Sequence, residues 1–225
     1  MDGILIVDKP QGMTSHDVVD FIRKKFSLKK VGHAGTLDPM ATGLLVMLIG
    51  KATKASDLFI KDDKEYEGAL ILGGVSDTAD GWGRIEYSSK DIFFENSKIE
   101  EAFKKFLGHI EQTPPAYSAV KVKGKKAYEL ARKGVKVQLK AKKIFIERFD
   151  ILGISLPEVS FKVTCSKGTY VRQLCVDIGE HLGCGAYLSR LRRTRSGRFS
   201  IGDALNLSEL AGYSAEDLAR RLHRV

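Results

Sequence analysis

The segment from His33 to Leu45 constrains the fold of this chain more than any other. Pro39 fixes its own φ angle and pushes Asp38 out of helical geometry towards an extended conformation. Three glycines bracket the segment and permit backbone conformations that a β-carbon would forbid, namely Gly32, Gly35 and Gly43. The segment is therefore predicted to be a loop where a bulky ligand meets one carboxylate, which suits a carboxylate nucleophile. The alternative is a turn in which Asp38 only accepts hydrogen bonds from nearby backbone N–H groups.

Strand and helix patterns mix irregularly along the rest of the chain. The apolar run Ile4–Val7 predicts a buried strand, and the alternating apolar residues between Val159 and Cys165 predict a half-buried one. Helices are predicted to begin at two capping residues and two capping boxes, which are Ser15, Thr169, Ser97–Glu100 and Ser214–Asp217. Because no regular βαβ alternation appears, the predicted fold class is α+β with a mostly antiparallel sheet.

Composition excludes several classes of protein. The longest apolar run, Leu44–Ile49, is far shorter than the roughly 20 residues that a membrane helix needs. The N-terminus lacks the basic start and long apolar stretch of a signal peptide. Three cysteines at wide spacings match no zinc or disulfide framework, namely Cys165, Cys175 and Cys184. They are predicted to be reduced thiols in a cytoplasmic protein.

The net charge of +9 is concentrated in one segment. Residues 121–148 contain 11 Lys and Arg but only Glu129 and Glu147 as acids, so the rest of the chain is neutral overall. This segment is interpreted as a polyanion-binding arm, and the alternative is a solvated, lysine-rich hairpin or helix. A second basic cluster contains Arg190, Arg192, Arg193, Arg195 and Arg198 without an acid. Two basic segments together favour a nucleic acid as the partner.

Seven segments in order along residues 3–210 carry a resemblance to a known family. They are Asp8–Ser15, His33–Leu45, Lys64–Gly68, Gln112–Ala119, Gly168–Arg172, Leu182–Ala186 and Leu191–Thr194. Together they resemble the motifs of the TruB family of tRNA pseudouridine synthases. The resemblance implies a central mixed, mostly antiparallel sheet with flanking helices and loops around one catalytic cleft. It also implies an isomerase that acts on the T-loop uridine conventionally numbered 55 and needs neither a cofactor nor a metal.

The resemblance implies three catalytic residues. Asp38 is the expected nucleophile, by attack on ribose C1′, by promoting a glycal or by addition to C6 of the uracil. Tyr66 is expected to stack on the flipped uracil and to serve in proton transfer. Arg172 is the expected partner of Asp38. It falls in the first turn of the helix predicted after Thr169, where the macrodipole favours an anion rather than a cation.

Further residues are expected to bind the RNA. The resemblance implies that His33 inserts where the target base has left the T loop, that Tyr170 contacts the target nucleotide and that Leu191 lines the uracil pocket. Lys9 and Thr14 are expected to pack beside the active-site loop. The predicted phosphate contacts are Lys121, Lys123, Lys125, Lys126, Arg132, Lys133, Arg192 and Arg193.

The predicted domain organisation has one catalytic domain over residues 1–210. Residues 112–148 form a mobile basic insertion within it, and residues 211–225 form a helical tail without a complete C-terminal PUA domain. The predicted partner is the T arm of tRNA, bound by a monomer without membrane or metal. Two alternatives are a non-catalytic RNA-binding or tRNA-chaperone module, and a carboxylate hydrolase. The hydrolase would need a second carboxylate or a metal cluster, and no such pairing stands out.

Overall fold

The computed structural model describes residues 1–87, 92–122, 124–135 and 137–224. Its helices are α1 (Ser15–Lys25), α2 (Ser56–Ile60), α3 (Asn96–Lys104), α4 (Ala127–Ala131), α5 (Val171–Leu182), α6 (Leu207–Gly212) and α7 (Ala215–Arg221). Two short 3₁₀ helices are Gly50–Ala55 and Ile201–Asp203. Within the described ranges, no helix is long and apolar enough to cross a membrane.

The strands are more numerous than the helices. They are β1 (Gly3–Lys9), β2 (Val31–Ala34), β3 (Thr42–Ile49), β4 (Lys64–Leu72), β5 (Gly74–Ser76), β6 (Ile85–Tyr87), β7 (Gly108–Gln112), β8 (Lys121–Val122), β9 (Lys125–Lys126), β10 (Lys142–Ser155), β11 (Glu158–Cys165), β12 (Ala186–Ser196), β13 (Phe199–Ser200) and β14 (Leu205–Asn206).

The chain divides into two compact units. Unit 1 comprises Met1–Glu67 and Leu191–Val225. Its strands follow the order β14, β1, β3, β12, with β2 also on β3 and β13 on β12. The pairs β1/β14 and β3/β12 are parallel, whereas β1/β3, β2/β3 and β12/β13 are antiparallel. Strands β1 and β3 are buried along nearly their whole length, so they form the core of this unit.

Unit 2 comprises Gly68–Arg190. Strands β4, β11, β10 and β7 are successive neighbours, and both β10/β11 and β10/β7 are antiparallel. Three aromatic rings pack in its core. The ring centroid of Phe103 in α3 lies 4.5 Å from that of Phe149, and the centroid of Phe149 lies 5.4 Å from that of Phe161. The helix α3 thereby covers β10 and β11.

These elements confirm the predicted α+β class with a mixed, mostly antiparallel sheet. The predicted strands at Ile4–Val7 and Val159–Cys165 are present, although the second is more buried than its alternation suggested. The capping box at Ser214–Asp217 begins α7 as predicted. Three other helix starts were predicted one or two residues from their true positions.

The helix starts differ for physical reasons. Thr14, not Ser15, caps α1 in a capping box with Asp17. Helix α3 begins at Asn96, so the predicted box at Ser97–Glu100 is wrong, and its N-cap Glu95 makes no side-chain capping bond. The N-cap of α5 is Tyr170 rather than Thr169, whose hydroxyl donates instead to the carbonyl of Ser166 at 2.9 Å. The Ser15 and Thr169 hydroxyls, which the local sequence offers as caps, instead make hydrogen bonds to Leu37 and to Ser166.

Candidate active site

Asp38 lies on a loop of residues 35–41 that joins β2 to β3, here called the Asp38 loop. Its side chain is half-buried, whereas the flanking Leu37 and Met40 are only 3% and 2% exposed. The N–H of Ala41 donates to the carbonyl of Asp38 at 3.1 Å, which closes a tight turn directly after the carboxylate. The loop therefore anchors itself with apolar side chains and leaves the carboxylate at the protein surface.

The turn after β1 and the first residue of α1 hold the Asp38 loop on both sides of the carboxylate. The Ser15 hydroxyl accepts from the N–H of Leu37 at 2.9 Å and donates to its carbonyl at 3.1 Å. On the other side of Asp38, the N–H of Gly12 donates to the carbonyl of Pro39 at 2.9 Å. The residues before and after Asp38 are thus both fixed, so little backbone freedom remains at the carboxylate.

Arg193 of β12 binds backbone carbonyls before and after Asp38. It is 1% exposed, and its guanidinium donates to the carbonyl of Leu44 at 2.7 Å and to that of Gly35 at 2.9 Å. Gly43 allows this approach, because a β-carbon there would lie 2.4 Å from the carbonyl oxygen of Arg193. The guanidinium of Arg193 is buried and occupied by backbone carbonyls, which favours a role in holding this loop, and its contact with RNA phosphate stays a prediction.

Replacing Ser15 with alanine is expected to lower kcat of the reaction at Asp38 by about 10- to 100-fold, because Leu37 loses both hydrogen bonds and the carboxylate is less well positioned. Ser15→Thr keeps the hydroxyl and should restore most of the rate. Thr14→Ala is the matched control, since it removes the cap of the same helix at a cost of about 1 kcal/mol without touching Leu37. Single-turnover rates and urea unfolding of the three variants check this. Equal rate losses for Ser15→Ala and Thr14→Ala would reduce Ser15 to a helix-stability residue.

Cationic groups surround the Asp38 loop. The fully buried Lys9 donates to the carbonyls of Pro10 and Met13 at 2.9 and 2.7 Å, in keeping with its expected packing role. Burial and, to a smaller extent, the Arg193 charge lower the pKa of Lys9 to about 8, although the Asp38 carboxylate opposes them. Lys9 is therefore mostly protonated at pH 7.

His33 lies on β2, just before the Asp38 loop, and is half-buried. Desolvation lowers the pKa of its imidazole, and the charges of Arg193 and His16 lower it further. Its Nδ1 atom is buried and has no hydrogen-bond partner among the described residues. A ring held neutral at physiological pH is suited to stacking against a nucleobase.

Other predicted site residues of unit 1 lie on β4 and β12. Leu191 is 8% exposed, and its carbonyl accepts from the Thr42 hydroxyl at 3.4 Å, which brings it to the end of the Asp38 loop. Tyr66 is a half-buried residue of β4. Arg192 forms a two-pronged ion pair with Asp8 at 3.1 and 2.6 Å, so a phosphate would compete with that carboxylate for it.

Arg172 lies at the start of α5 in unit 2 and is 5% exposed. Its guanidinium donates to the carbonyl of Thr78 at 2.7 Å and to that of Tyr117 at 3.0 Å, and it lies 3.7 Å from the buried carboxylate of Asp80. Within unit 2, the anion beside Arg172 at the N-terminus of α5 is therefore the carboxylate of Asp80. The pairing of Arg172 with Asp38 stays a prediction.

Tyr170 is held through its backbone. The 2%-exposed side chain of Gln112 accepts from the N–H of Tyr170 at 2.9 Å and donates to its carbonyl at 3.1 Å. Gln112 thus fixes the backbone of the N-cap residue Tyr170 and with it the direction in which α5 begins. The role of Tyr170 toward a nucleotide stays a prediction.

The predicted phosphate contacts of the arm are exposed where the structure describes them, namely Lys121, Lys125, Lys126, Arg132 and Lys133. Lys123 lies outside the described residues. The ring of Tyr128 lies between two of these cations, 5.5 Å from the ammonium of Lys126 and 5.4 Å from the guanidinium of Arg132. An aromatic ring with flanking cations is suited to both bases and phosphates.

Sequence reasoning missed three polar residues that hold predicted site residues in place. Ser15 does so in unit 1, and Gln112 and Asp80 do so in unit 2. Each of the three is 6% exposed or less. A buried polar side chain needs partners, but nothing in the local sequence shows that a given serine, glutamine or aspartate is buried. Among the described residues, no group of histidine, cysteine or acidic side chains could hold a metal ion.

The family is decided by comparison with known proteins. Residues 23–171 match the model of the TruB family pseudouridylate synthase N-terminal domain, and residues 172–225 match that of the tRNA pseudouridylate synthase B C-terminal domain. This chain belongs to the TruB family. The resemblance seen in its motifs is therefore confirmed.

Individual TruB relatives match over almost the whole chain. A protein of Opitutus terrae named tRNA pseudouridine synthase B is 45% identical over 222 residues, which are 99% of this chain and 92% of that protein. One of Clostridioides difficile with the same name is 49% identical over 212 residues, which are 93% of this chain and 70% of the relative.

Solved structures match the fold as well. A chain of a Cbf5–Nop10–Gar1 complex has a TM-score of 0.75 and 34% identity, over 94% of this chain and 54% of the other. A chain of an H/ACA RNP bound to a substrate RNA with 2′-deoxyuridine has a TM-score of 0.71 and 32% identity, over 94% and 53%. This chain spans about half the length of those solved chains.

Proposed function

We propose that this TruB family member converts a uridine of tRNA to pseudouridine, at the T-loop position conventionally numbered 55. One observation carries the proposal, which is the half-buried carboxylate of Asp38 on a loop clamped at both Leu37 and Pro39 within the matched family segment. A carboxylate held in this way is preorganised for nucleophilic catalysis. The relatives named tRNA pseudouridine synthase B support tRNA as the substrate.

The reaction breaks the C1′–N1 bond of uridine, rotates the uracil and forms a C1′–C5 bond. C5 then loses its proton while N1 gains one, so the product is an isomer of the substrate. The target nucleotide must leave the stack, which costs a few kcal/mol in unstacking. The neutral His33 ring offsets part of this cost by stacking in the vacated position. Asp38 acts at C1′, at C2′ or at C6, and each of these routes uses its carboxylate as a nucleophile or a base. Tyr66 packs on the detached uracil and serves in the transfer of the C5 proton.

The T arm is the proposed binding determinant, gripped by residues 112–148 of a catalytic domain that covers residues 1–210. The exposed cations of this segment and the ring of Tyr128 support a contact with the phosphate backbone. We propose that the chain acts as a monomer in the cytoplasm. Its three cysteines, at wide spacings that match no disulfide framework, support a reducing compartment.

The first test incubates the chain with a T-arm hairpin RNA without metal or cofactor and maps pseudouridine by chemical modification and primer extension. A single new pseudouridine in the T loop is expected. RNA binding without conversion, on the hairpin and on a full tRNA transcript, would favour a non-catalytic RNA-binding module. Conversion of free nucleosides would favour an enzyme that does not recognise the T arm.

Neutralising the basic arm is expected to flatten the salt dependence of RNA binding. The variant carries glutamine at Lys121, Lys125, Lys126 and Lys133, all exposed side chains. If each lysine contacts one phosphate, the slope of log Kd against log salt concentration falls by about 0.9 per lysine on duplex RNA. Filter binding between about 50 and 200 mM salt measures this slope. A slope equal to that of the wild type would place the arm away from phosphate.

A further inference from the structure

A second concentration of positive charge lies in unit 1. Between Asp20 and Asp57 the chain contains one acid, Asp38, and seven Lys or Arg residues. The charge neutrality of the sequence outside residues 121–148 hides this segregation, because acids elsewhere in the chain balance it. Six of these cations are exposed lysines, here called the lysine face, namely Lys24, Lys25, Lys29, Lys30, Lys51 and Lys54.

The fold brings the two parts of the lysine face together. Strand β2 follows directly after Lys30 and pairs with the end of β3, with Val31 opposite Ile49. The N–H of Gly50 donates to the carbonyl of Lys30 at 2.9 Å, so the 3₁₀ helix that carries Lys51 and Lys54 begins beside Lys30. The start of β2 and the end of β3 thus place Lys30 and Lys51, 21 positions apart in the sequence, on one surface.

The acids near this surface do not neutralise it. Among the described residues none of the six lysines forms an ion pair, whereas Arg23 pairs with Asp20 at 2.9 Å. The Asp2 carboxylate accepts from the backbone N–H of Lys51 at 2.7 Å, and Asp57 is an exposed residue at the start of α2. The helix dipole accounts for Lys24 and Lys25 at the end of α1, but not for the four lysines that follow.

We propose that the lysine face binds the phosphate backbone of the substrate RNA, as a phosphate-binding surface separate in sequence from the basic arm. The inference rests on the proposed function, since the RNA is the substrate of that site. Lys30 precedes His33 by three residues of extended chain, or roughly 10 Å, so a backbone that enters the Asp38 loop region passes within reach of this face. The contacts add affinity without reading the base sequence.

The test compares three triple variants on an unmodified tRNA transcript. In the first, Lys30, Lys51 and Lys54 are changed to glutamine, and in the second to arginine, which keeps the charge. The matched control changes Lys98, Lys104 and Lys105 of α3 to glutamine, which are also exposed. Kd is measured at several salt concentrations, and the conversion rate is measured at saturating enzyme.

The glutamine variant is expected to bind tRNA at least about tenfold more weakly at low salt. Its slope of log Kd against log salt concentration should be lower by about 2 to 3, and its conversion rate at saturating enzyme should not change. The arginine variant and the α3 control should match the wild type. A glutamine variant with wild-type Kd and slope would overturn the proposed lysine face. If the wild type binds tRNA without converting it, the proposed function fails while the comparison of slopes still decides the role of the lysine face.

Discussion

Replacing Asp38 with asparagine is expected to lower the rate of pseudouridine formation by at least about a thousandfold, while the Kd for tRNA changes by no more than a few-fold. The amide has nearly the shape of the carboxylate but is neither an anion nor a nucleophile. The loop backbone is held by Ser15, Gly12 and Arg193, so its conformation should survive the change. Single-turnover kinetics with a T-arm hairpin measure the rate, and filter binding measures the Kd.

A folding measurement makes the Asp38 result decisive. The carboxylate of Asp38 raises the pKa of Lys9 against the effect of burial, so Asp38→Asn should lower that pKa below about 8. An unfolded chain binds this proton up to the ordinary lysine pKa of 10.5, so a lowered folded pKa destabilises the protein at neutral pH. The loss of unfolding free energy should therefore be larger at pH 7 than at pH 9 in urea titrations.

Asp203→Asn serves as the control, because Asp203 is an exposed aspartate of unit 1 outside the loop. Its rate, its Kd and its stability should equal those of the wild type. A folded Asp38→Asn protein with substantial activity would remove Asp38 from the chemistry. An Asp38→Asn protein that does not fold would make Asp38 a structural residue and contradict its catalytic assignment.

Replacing Arg172 with lysine is expected to lower kcat by about 100-fold or more, with a change of only a few-fold in KM. The planar guanidinium bonds two carbonyls, of Thr78 and Tyr117, while facing the carboxylate of Asp80. A single ammonium cannot reach all three groups from the same buried position, so the charge moves relative to its partners. If Arg172 also pairs with Asp38, as the TruB motif implies, the orientation of the nucleophile is lost with it.

Arg148→Lys is the matched control for this substitution. Arg148 also lies in unit 2 and also pairs with an acid, Asp150, at 2.9 Å, but its side chain is exposed. Surface ion pairs of this kind contribute little, so kcat and stability should not change. Full activity of Arg172→Lys would exclude Arg172 from the catalytic site. An equal loss of kcat in Arg172→Lys and Arg148→Lys would mean that the loss is not specific to Arg172.

Arg193 shows the limit of reading charge from sequence. It lies in a run of five arginines that contains no acid, and such a run predicts a solvated, phosphate-binding surface. On β12, however, successive residues point to opposite faces, so Arg193 turns into the protein while its neighbour Arg192 remains partly exposed. Which face of a strand is covered depends on its neighbours, here β3 and the Asp38 loop, and these are distant in sequence.

Ser15 and the lysine face show the same limit. A serine before an amphipathic helix is the usual pattern of an N-cap, but the cap is made by Thr14, and a contact with Leu37, 22 residues away, takes the Ser15 hydroxyl. Lys30 and Lys51 form one surface only because β2 and β3 pair in one register. Neither the Ser15 contact nor the Lys30–Lys51 surface can be read from the order of residues along the chain.

The motifs and local patterns of the chain are enough to indicate the TruB family, the α+β class, the buried strand β1 and the loop that carries Asp38. These features depend on local chemistry, because glycine, proline and apolar periodicity act through the backbone of their own segment. The clamping of that loop by Ser15, Gly12 and Arg193, the groups around Arg172 and the placement of Lys30 beside Lys51 could be learned from the folded structure alone. Those arrangements depend on burial and on hydrogen bonds between segments distant along the chain, and such contacts form only when the strands pair.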